Sequence, residues 1–221
     1  MLPHRARFLS LALRVKALGF GEFTLKSGRA SPYFFNAGRF DSGAVLAELA
    51  GCYADALDAA GLECDVLFGP AYKGIPLATA LACELARRGR DVPLAFNRKE
   101  AKTHGEGGRL IGADIAGKRV VIVDDVLTAG TAIREALALL AEAGGQAAGV
   151  VIALDRQERV AGDDPRSAVQ ALVDEQGVPV AAIATLDDLM EFACDHPALR
   201  AEHARLTAYR SRYGVSRNGG H

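Results

Sequence analysis

The sequence predicts a doubly wound α/β fold: a mostly parallel sheet with helices on both faces and a small N-terminal hairpin forming a hood. Three observations carry this expectation. From about residue 45 onward, short apolar runs alternate with segments of helical periodicity, the pattern of successive strand–helix units. The run Val120-Val121-Ile122-Val123 has no polar residue, as a strand buried on both faces requires. The 221 residues are 50% hydrophobic and 24% charged, ordinary globular composition and enough apolar material for a substantial core. A single domain over 1–215 is expected, followed at 216–221 by a short, polar, Gly-rich and flexible tail.

Leu9, Leu13, Lys16 and Ala17 predict a first helix that ends near Gly19. Residues 22–36 predict a β-hairpin outside the main sheet, with Thr24, Leu25, Tyr33, Phe34 and Phe35 around a Lys-Ser-Gly-Arg turn. Val45, Leu49, Cys52 and Ala56 recur at helical spacing until Gly61. A buried strand is expected at 65–69, then a helix at 75–88 with Pro76 near its first turn, where a missing N–H costs little. Strands follow at 92–97 and 119–124, and a helix at 131–143 stopped by Gly144-Gly145. Two further strands, 150–154 and 178–184, flank a helix from about 165 to 175.

The formal net charge of −1 gives no global basic field for nucleic acid, so an anion must be caught by a local site. Cys52, Cys64, Cys83 and Cys194 form no C-x-x-C pair, and Cys52 and Cys83 fall in apolar helical patterns; these read as structural thiols that need no oxidising compartment. Residues 1–16 lack the continuous apolar core of a signal peptide, and no stretch approaches the length of a membrane span, so the expected location is the cytoplasm.

In a doubly wound sheet, ligands sit outside the carboxyl ends of the strands. The clearest strand runs into Asp124-Asp125, then Val126-Leu127-Thr128-Ala129-Gly130-Thr131-Ala132 at the start of a helix. Small residues at such a turn leave N–H groups free for an anion, and the helix dipole favours one. Two carboxylates repel a phosphate, but they accept hydrogen bonds from sugar hydroxyls. A ligand with both a ribose diol and a phosphate satisfies the whole segment; the blander alternative is that Asp124 and Asp125 only cap the next helix.

The segment VIVDDVLTAGT at 121–131 closely resembles the phosphoribosyl-diphosphate motif of type I phosphoribosyltransferases. The resemblance implies that Asp124 and Asp125 hold the ribose hydroxyls and that the following loop holds the 5′-phosphate. Further segments, including those around Phe20 to Gly28, Ser31 to Gly38 and Leu154 to Arg159, are similar to orotate phosphoribosyltransferases in order along the chain. That likeness implies transfer of a phosphoribosyl group to orotate, with Mg²⁺ held through the diphosphate and ribose and with no direct protein ligand to the metal.

The loop Gly69-Pro70-Ala71-Tyr72-Lys73-Gly74 has the glycine spacing of a P-loop, but Ile75-Pro76 stands where that motif needs Lys and Ser or Thr. A tight loop presenting Lys73 still suits pyrophosphate; a surface lysine is the plain alternative. In the resembled family this loop, with Tyr72 and Lys73 here, contacts the diphosphate and often contains a strained non-proline peptide. Arg98, Lys99, Lys102 and His104 then cluster ahead of Gly105, Gly107 and Gly108. Alone, this is equally a solvated loop or a hinged cationic lid; beside two anion loops the lid reading prevails. It is similar to the catalytic loop that, in the resembled family, reaches the neighbouring subunit's site in a homodimer. A zinc role for His104 is excluded by the absence of a Cys/His cluster.

For the base, a planar anionic pyrimidine asks for an aromatic or backbone wall and a cation, and arginine's fork matches a carboxylate. Arg156 lies just past a strand, and its alternative is an ion pair with Asp155 or Glu158. Phe34 and Phe35 serve equally as hairpin core, and on a strand at most one of them stacks on a base. The resemblance implies that Lys26, Phe34, Phe35, Thr128 and Arg156 contact orotate, with Lys26 bridging both substrates. The rivals are transfer to another base and a non-catalytic sensor of the donor, which turnover assays separate.

Overall fold

The computed structural model describes residues 1–25, 28–102, 108–127, 130–160 and 164–215, with the backbone alone at 99–102 and 108. The tail expected at 216–221 lies outside the described residues, as do Lys26, His104, Thr128 and Ala129. The chain opens with α1 (Pro3–Arg14), begun by a proline in its first turn. It ends earlier than Gly19 because Lys16 turns the backbone to φ 59° and β1 (Leu18–Thr24) starts at once. β1 and β2 (Ala30–Phe35) pair antiparallel as a separate two-stranded sheet, the expected hairpin.

The main sheet contains β3 (Val66–Gly69), β4 (Leu94–Lys102), β5 (Gly108–Gly112), β6 (Arg119–Val126), β7 (Gln146–Asp155) and β8 (Val180–Thr185) in the order β5-β4-β3-β6-β7-β8. All pairings are parallel except β4 with β5. Between the strands run α2 (Gly43–Ala59), α3 (Gly74–Arg87), α4 (Thr131–Glu142) and α5 (Ala168–Gln176), followed by α6 (Leu186–Asp195) and α7 (Arg200–Tyr213).

Strand periodicity divides the core into two layers. Val121 and Val123 of β6 face a cluster containing Phe8, Leu49, Leu81 and Leu189, whereas Val120 and Ile122 face one containing Ile133, Leu140 and Leu172. Each of these side chains is at most 1% exposed, and burying one contributes about 1.5–3 kcal/mol. Helices therefore cover both faces, and the wholly apolar β6 lies inside the sheet.

Three expectations change. β4 extends to Lys102, and β5, unforeseen, pairs with it at the sheet edge; the base of the expected loop is an antiparallel ladder. Only Leu110 and Ile111 marked β5 as a strand, too few for a periodic signal. The helices α6 and α7 were also unforeseen. Cys52 is buried, but Cys83 and Cys194 are exposed, since they fall on the solvent sides of α3 and α6.

Candidate active site

The carboxyl ends of the parallel strands bring the expected groups to one edge. β6 carries Asp124 and Asp125, both buried, to the centre of that edge. Neither carboxylate caps α4: Asp124 Oδ1 accepts the Asp125 N–H at 2.9 Å, and Asp125 Oδ1 accepts the Val126 N–H at 2.9 Å. From beneath, the fully buried Tyr53 of α2 donates its hydroxyl to the Asp124 carbonyl at 2.8 Å. Burial, reinforced by the neighbouring Asp125 charge, raises the Asp124 pKa to about 6.

Helix termini flank the pair. The helices α2, α5 and α6 are capped by the side chains of Ser42, Ser167 and Thr185. By contrast, α4 begins after Gly130 at φ 71°, with no side-chain cap and no acidic residue in its first turn. Its first N–H groups are left for an anion. Leu127 is buried, and Thr131 and Ala132 are exposed on the first turn of α4. On the other side, α3 also starts without a side-chain cap, at Lys73. A Cβ on Gly74 would lie 2.4 Å from Pro70 Cδ and 2.7 Å from the Val123 carbonyl, so only glycine lets this helix start press against β6.

The lysine loop is held by Asn97 of β4, one residue past the β3–β4 register, whose Oδ1 accepts the Ala71 N–H at 2.9 Å. The Ala71–Tyr72 peptide is cis, and the Tyr72 side chain is exposed. Lys73 Nζ meets Asp125 Oδ2 at 2.7 Å, which joins the lysine loop to the acidic pair. Arg98 is half-buried on β4. The side chains of Lys99 and Lys102 lie outside the description.

Arg156 follows β7, the neighbour of β6, and is not at the surface: its side chain is 12% exposed. It does form an ion pair with Glu158, with Nη2 at 2.7 Å from Oε1, and it lies 4.5 Å over the Tyr33 ring. Burial opposes the guanidinium charge, but Tyr33 and Glu158 outweigh that effect and hold its pKa above the ordinary value. Tyr33 thus brings the hood to the end of β7.

The two phenylalanines part company. Phe34 is 43% exposed and packs on Phe23, whereas Phe35 is buried with Phe8 and Phe40. Of the two readings left open, the Phe35 ring takes that of hairpin core: pleating turns it inward, and only the Phe34 ring is exposed. The Phe35 backbone points elsewhere. Asn36 N–H bonds to the Ala17 carbonyl, so by antiparallel alternation Phe35 N–H and C=O face the edge of β2 away from β1.

Sequence reasoning missed Tyr53, Tyr33 and Asn97 as parts of the site, and named Glu158 only as an ion-pair partner for Arg156. Asn97 had a signal, a polar residue at the carboxyl end of a sheet strand; the two tyrosines are defined by distant partners. A cavity of about 310 Å³ lies between α1, α2 and β8, and none of the acidic-pair or lysine-loop residues lines it. Among the described residues, no cluster of three or more His, Cys, Asp or Glu side chains is placed to hold a metal, and no helix is long and apolar enough to cross a membrane.

An acidic pair between two open helix N-termini at the carboxyl edge of a parallel sheet defines the phosphoribosyltransferase class, and the model of the phosphoribosyl transferase domain matches residues 40–181. The chain is 66% identical over 215 residues to an orotate phosphoribosyltransferase of Stenotrophomonas maltophilia, covering 97% of this chain and 98% of that one. It is 67% identical to one from Xanthomonas euvesicatoria pv. vesicatoria, covering 99% and 100%. The crystal structure of an orotate phosphoribosyltransferase from Francisella tularensis matches with a TM-score of 0.85 at 42% identity, over 94% of this chain and 99% of that one. The chain belongs to the orotate phosphoribosyltransferase family.

Proposed function

We propose that this chain transfers the phosphoribosyl group of 5-phospho-α-D-ribose 1-diphosphate to orotate, giving orotidine 5′-phosphate and pyrophosphate in pyrimidine biosynthesis. The observation that carries the reading is the buried acidic pair set between two uncapped helix N-termini, in a chain this similar to named orotate phosphoribosyltransferases.

Asp124 and Asp125 accept the ribose hydroxyls, and Thr128 to Thr131, ahead of and into α4, take the 5′-phosphate, with Val126, Leu127 and Ala132 completing the donor loop. Lys73 and Asp125 neutralise each other. The donor replaces both partners at once, offering its diphosphate to Lys73 and its hydroxyls to Asp125. Tyr72 adds a wall to the diphosphate side. Arg98, Lys99, Lys102 and His104 close over the leaving group, whose charge grows as its bond to C1′ breaks and the orotate N1 bond forms. Fixing two substrates in line supplies up to about 7–11 kcal/mol, so positioning is the main task.

Arg156 receives the orotate carboxylate. Phe34 offers its exposed ring, Phe35 its outward N–H and C=O, Thr128 a neighbouring polar contact, and Lys26 bridges base and donor. Mg²⁺ suits this site through substrate oxygens, because Asp125 is already salt-bridged to Lys73 and, among the described residues, no cluster of three or more His, Cys, Asp or Glu side chains is placed to hold a metal. When bound on the diphosphate, it neutralises leaving-group charge.

We place the enzyme in the cytoplasm as a homodimer whose lid, between Arg98 and Gly108, serves the neighbouring site. Activity is tested by orotate absorbance with donor and Mg²⁺ present and each omitted in turn; loss of orotate without the donor refutes the reaction. Mixing Asp124→Asn with Lys102→Ala protomers tests the lid. Service in trans rebuilds one intact site per hybrid dimer, whereas service in cis rebuilds none.

A further inference from the structure

β7 ends at Asp155, and the residues that follow run back against the C-terminal end of α7. Gln157 sits at φ 49°, a left-handed conformation seldom adopted by residues with side chains. Its N–H donates to Asp155 Oδ1 at 2.8 Å, and its Oε1 accepts the Asp187 N–H at 2.9 Å and Arg210 Nη1 at 3.4 Å. Its carbonyl accepts the Val215 N–H at 3.0 Å. Glu158 bridges to Gly214, and the Arg159 N–H donates to the Tyr213 carbonyl at 2.9 Å. A backbone in this region persists where its surroundings over-determine it, and here the C-terminal segment supplies most of them.

The same segment supports what lies under the guanidinium. Tyr209 packs edge-on against Tyr33 at 6.0 Å, and Tyr33 is the ring beneath Arg156. The Tyr33 hydroxyl donates to Glu158 Oε1 at 3.2 Å, and that oxygen also accepts Arg156 Nε at 2.8 Å. By taking the Nε and Nη2 edge, Glu158 fixes the guanidinium plane, so the edge that carries Nη1 is the one left to meet an anion.

We propose that Glu158 and the C-terminal residues 209–215 are positioning elements for base selection, holding Arg156 with its second edge toward the carboxylate of the acceptor. The proposal rests on the reading of Arg156 as that carboxylate's partner. It makes residues 209–215 part of substrate discrimination through Arg156.

Three changes test it: Glu158→Gln, a chain ending at Tyr213, and Arg156→Ala, with a chain ending at Val215 as reference. KM is measured for both substrates, together with kcat/KM for orotate relative to the uncharged uracil. Glu158→Gln and the chain ending at Tyr213 should each raise the orotate KM about tenfold, leave the donor KM within about twofold, and erode the preference for orotate over uracil. A merely structural role would move both KM values together and leave the preference unchanged, and that result overturns the proposal. If the shorter chain loses its thermal transition, Glu158→Gln decides alone, since it is isosteric. An unchanged orotate KM in Arg156→Ala removes the carboxylate reading and the proposal with it. A raised orotate KM there, with no effect of Glu158→Gln, removes the positioning claim only.

Discussion

Replacing Asp124 with asparagine should stabilise the ligand-free protein while abolishing donor binding. Asp124 is buried, and its pKa is raised from 3.8 to about 6 by burial and then by the Asp125 charge. A shift of roughly two units corresponds to about 3 kcal/mol between the protonated and ionised forms. Folding favours the neutral acid, so the stabilising contribution is present below the unfolded pKa and is lost as the pH rises through the folded value. Relative to a neutral side chain, ionised Asp124 then costs the fold about 3 kcal/mol at pH 8 and about half of that at pH 5. Asparagine keeps an oxygen for the Asp125 N–H and carries no charge. Thermal unfolding of both proteins at pH 5 and pH 8 should show the variant melting several degrees higher at pH 8, on a scale of about 2–4 °C per kcal/mol, with a smaller gap at pH 5. The variant should not turn over, and wild-type kcat/KM for the donor should fall as the pH drops through about 6, where the acid protonates. A variant less stable than wild type at pH 8, or a gap independent of pH, refutes the argument that the site holds an unfavourably buried charge.

Lys102→Ala should lower kcat by about 10²–10³ while moving either KM little, by analogy with removal of one donor from an oxyanion site; an unchanged kcat removes the lid from the mechanism. Gly74→Ala should destabilise by about 1–3 kcal/mol despite its gain in helix propensity, because the new Cβ meets Pro70 and the Val123 carbonyl; a thermal melt equal to wild type would show that the α3 start has room. Tyr53→Phe should lower the urea midpoint by the equivalent of about 1–2 kcal/mol with m unchanged and raise the donor KM more than the orotate KM, since the lost hydroxyl supports the Asp124 carbonyl. Equal changes in the two KM values would assign Tyr53 to the fold alone.

Much of the candidate site was legible in the sequence because its parts are local. A short run made wholly of β-branched Val and Ile suits a strand buried on both faces, and the rule that ligands sit beyond strand carboxyl ends marks Asp124-Asp125 and the glycine after them as a candidate site. Gly61, Gly130 and Gly144 marked their turns because positive φ is a property of single residues. Arg156 was legible as a position just past a strand, and the ion pair with Glu158 left open for it is present, though buried and not at the surface.

What the tertiary structure alone decided depends on partners far apart in the chain. Tyr53 lies 71 residues from the carbonyl it supports, and Tyr33 lies 125 residues from Glu158. The pleat of β2 settled which phenylalanine ring is core, a question that two adjacent aromatics leave open until the register with β1 is known. The ladder between β4 and β5 escaped notice because edge pairing satisfies backbone groups without an apolar pattern. Local sequence specifies backbone conformation and the face that must be buried; which distant residue completes a buried hydrogen bond is fixed only when packing brings the two together.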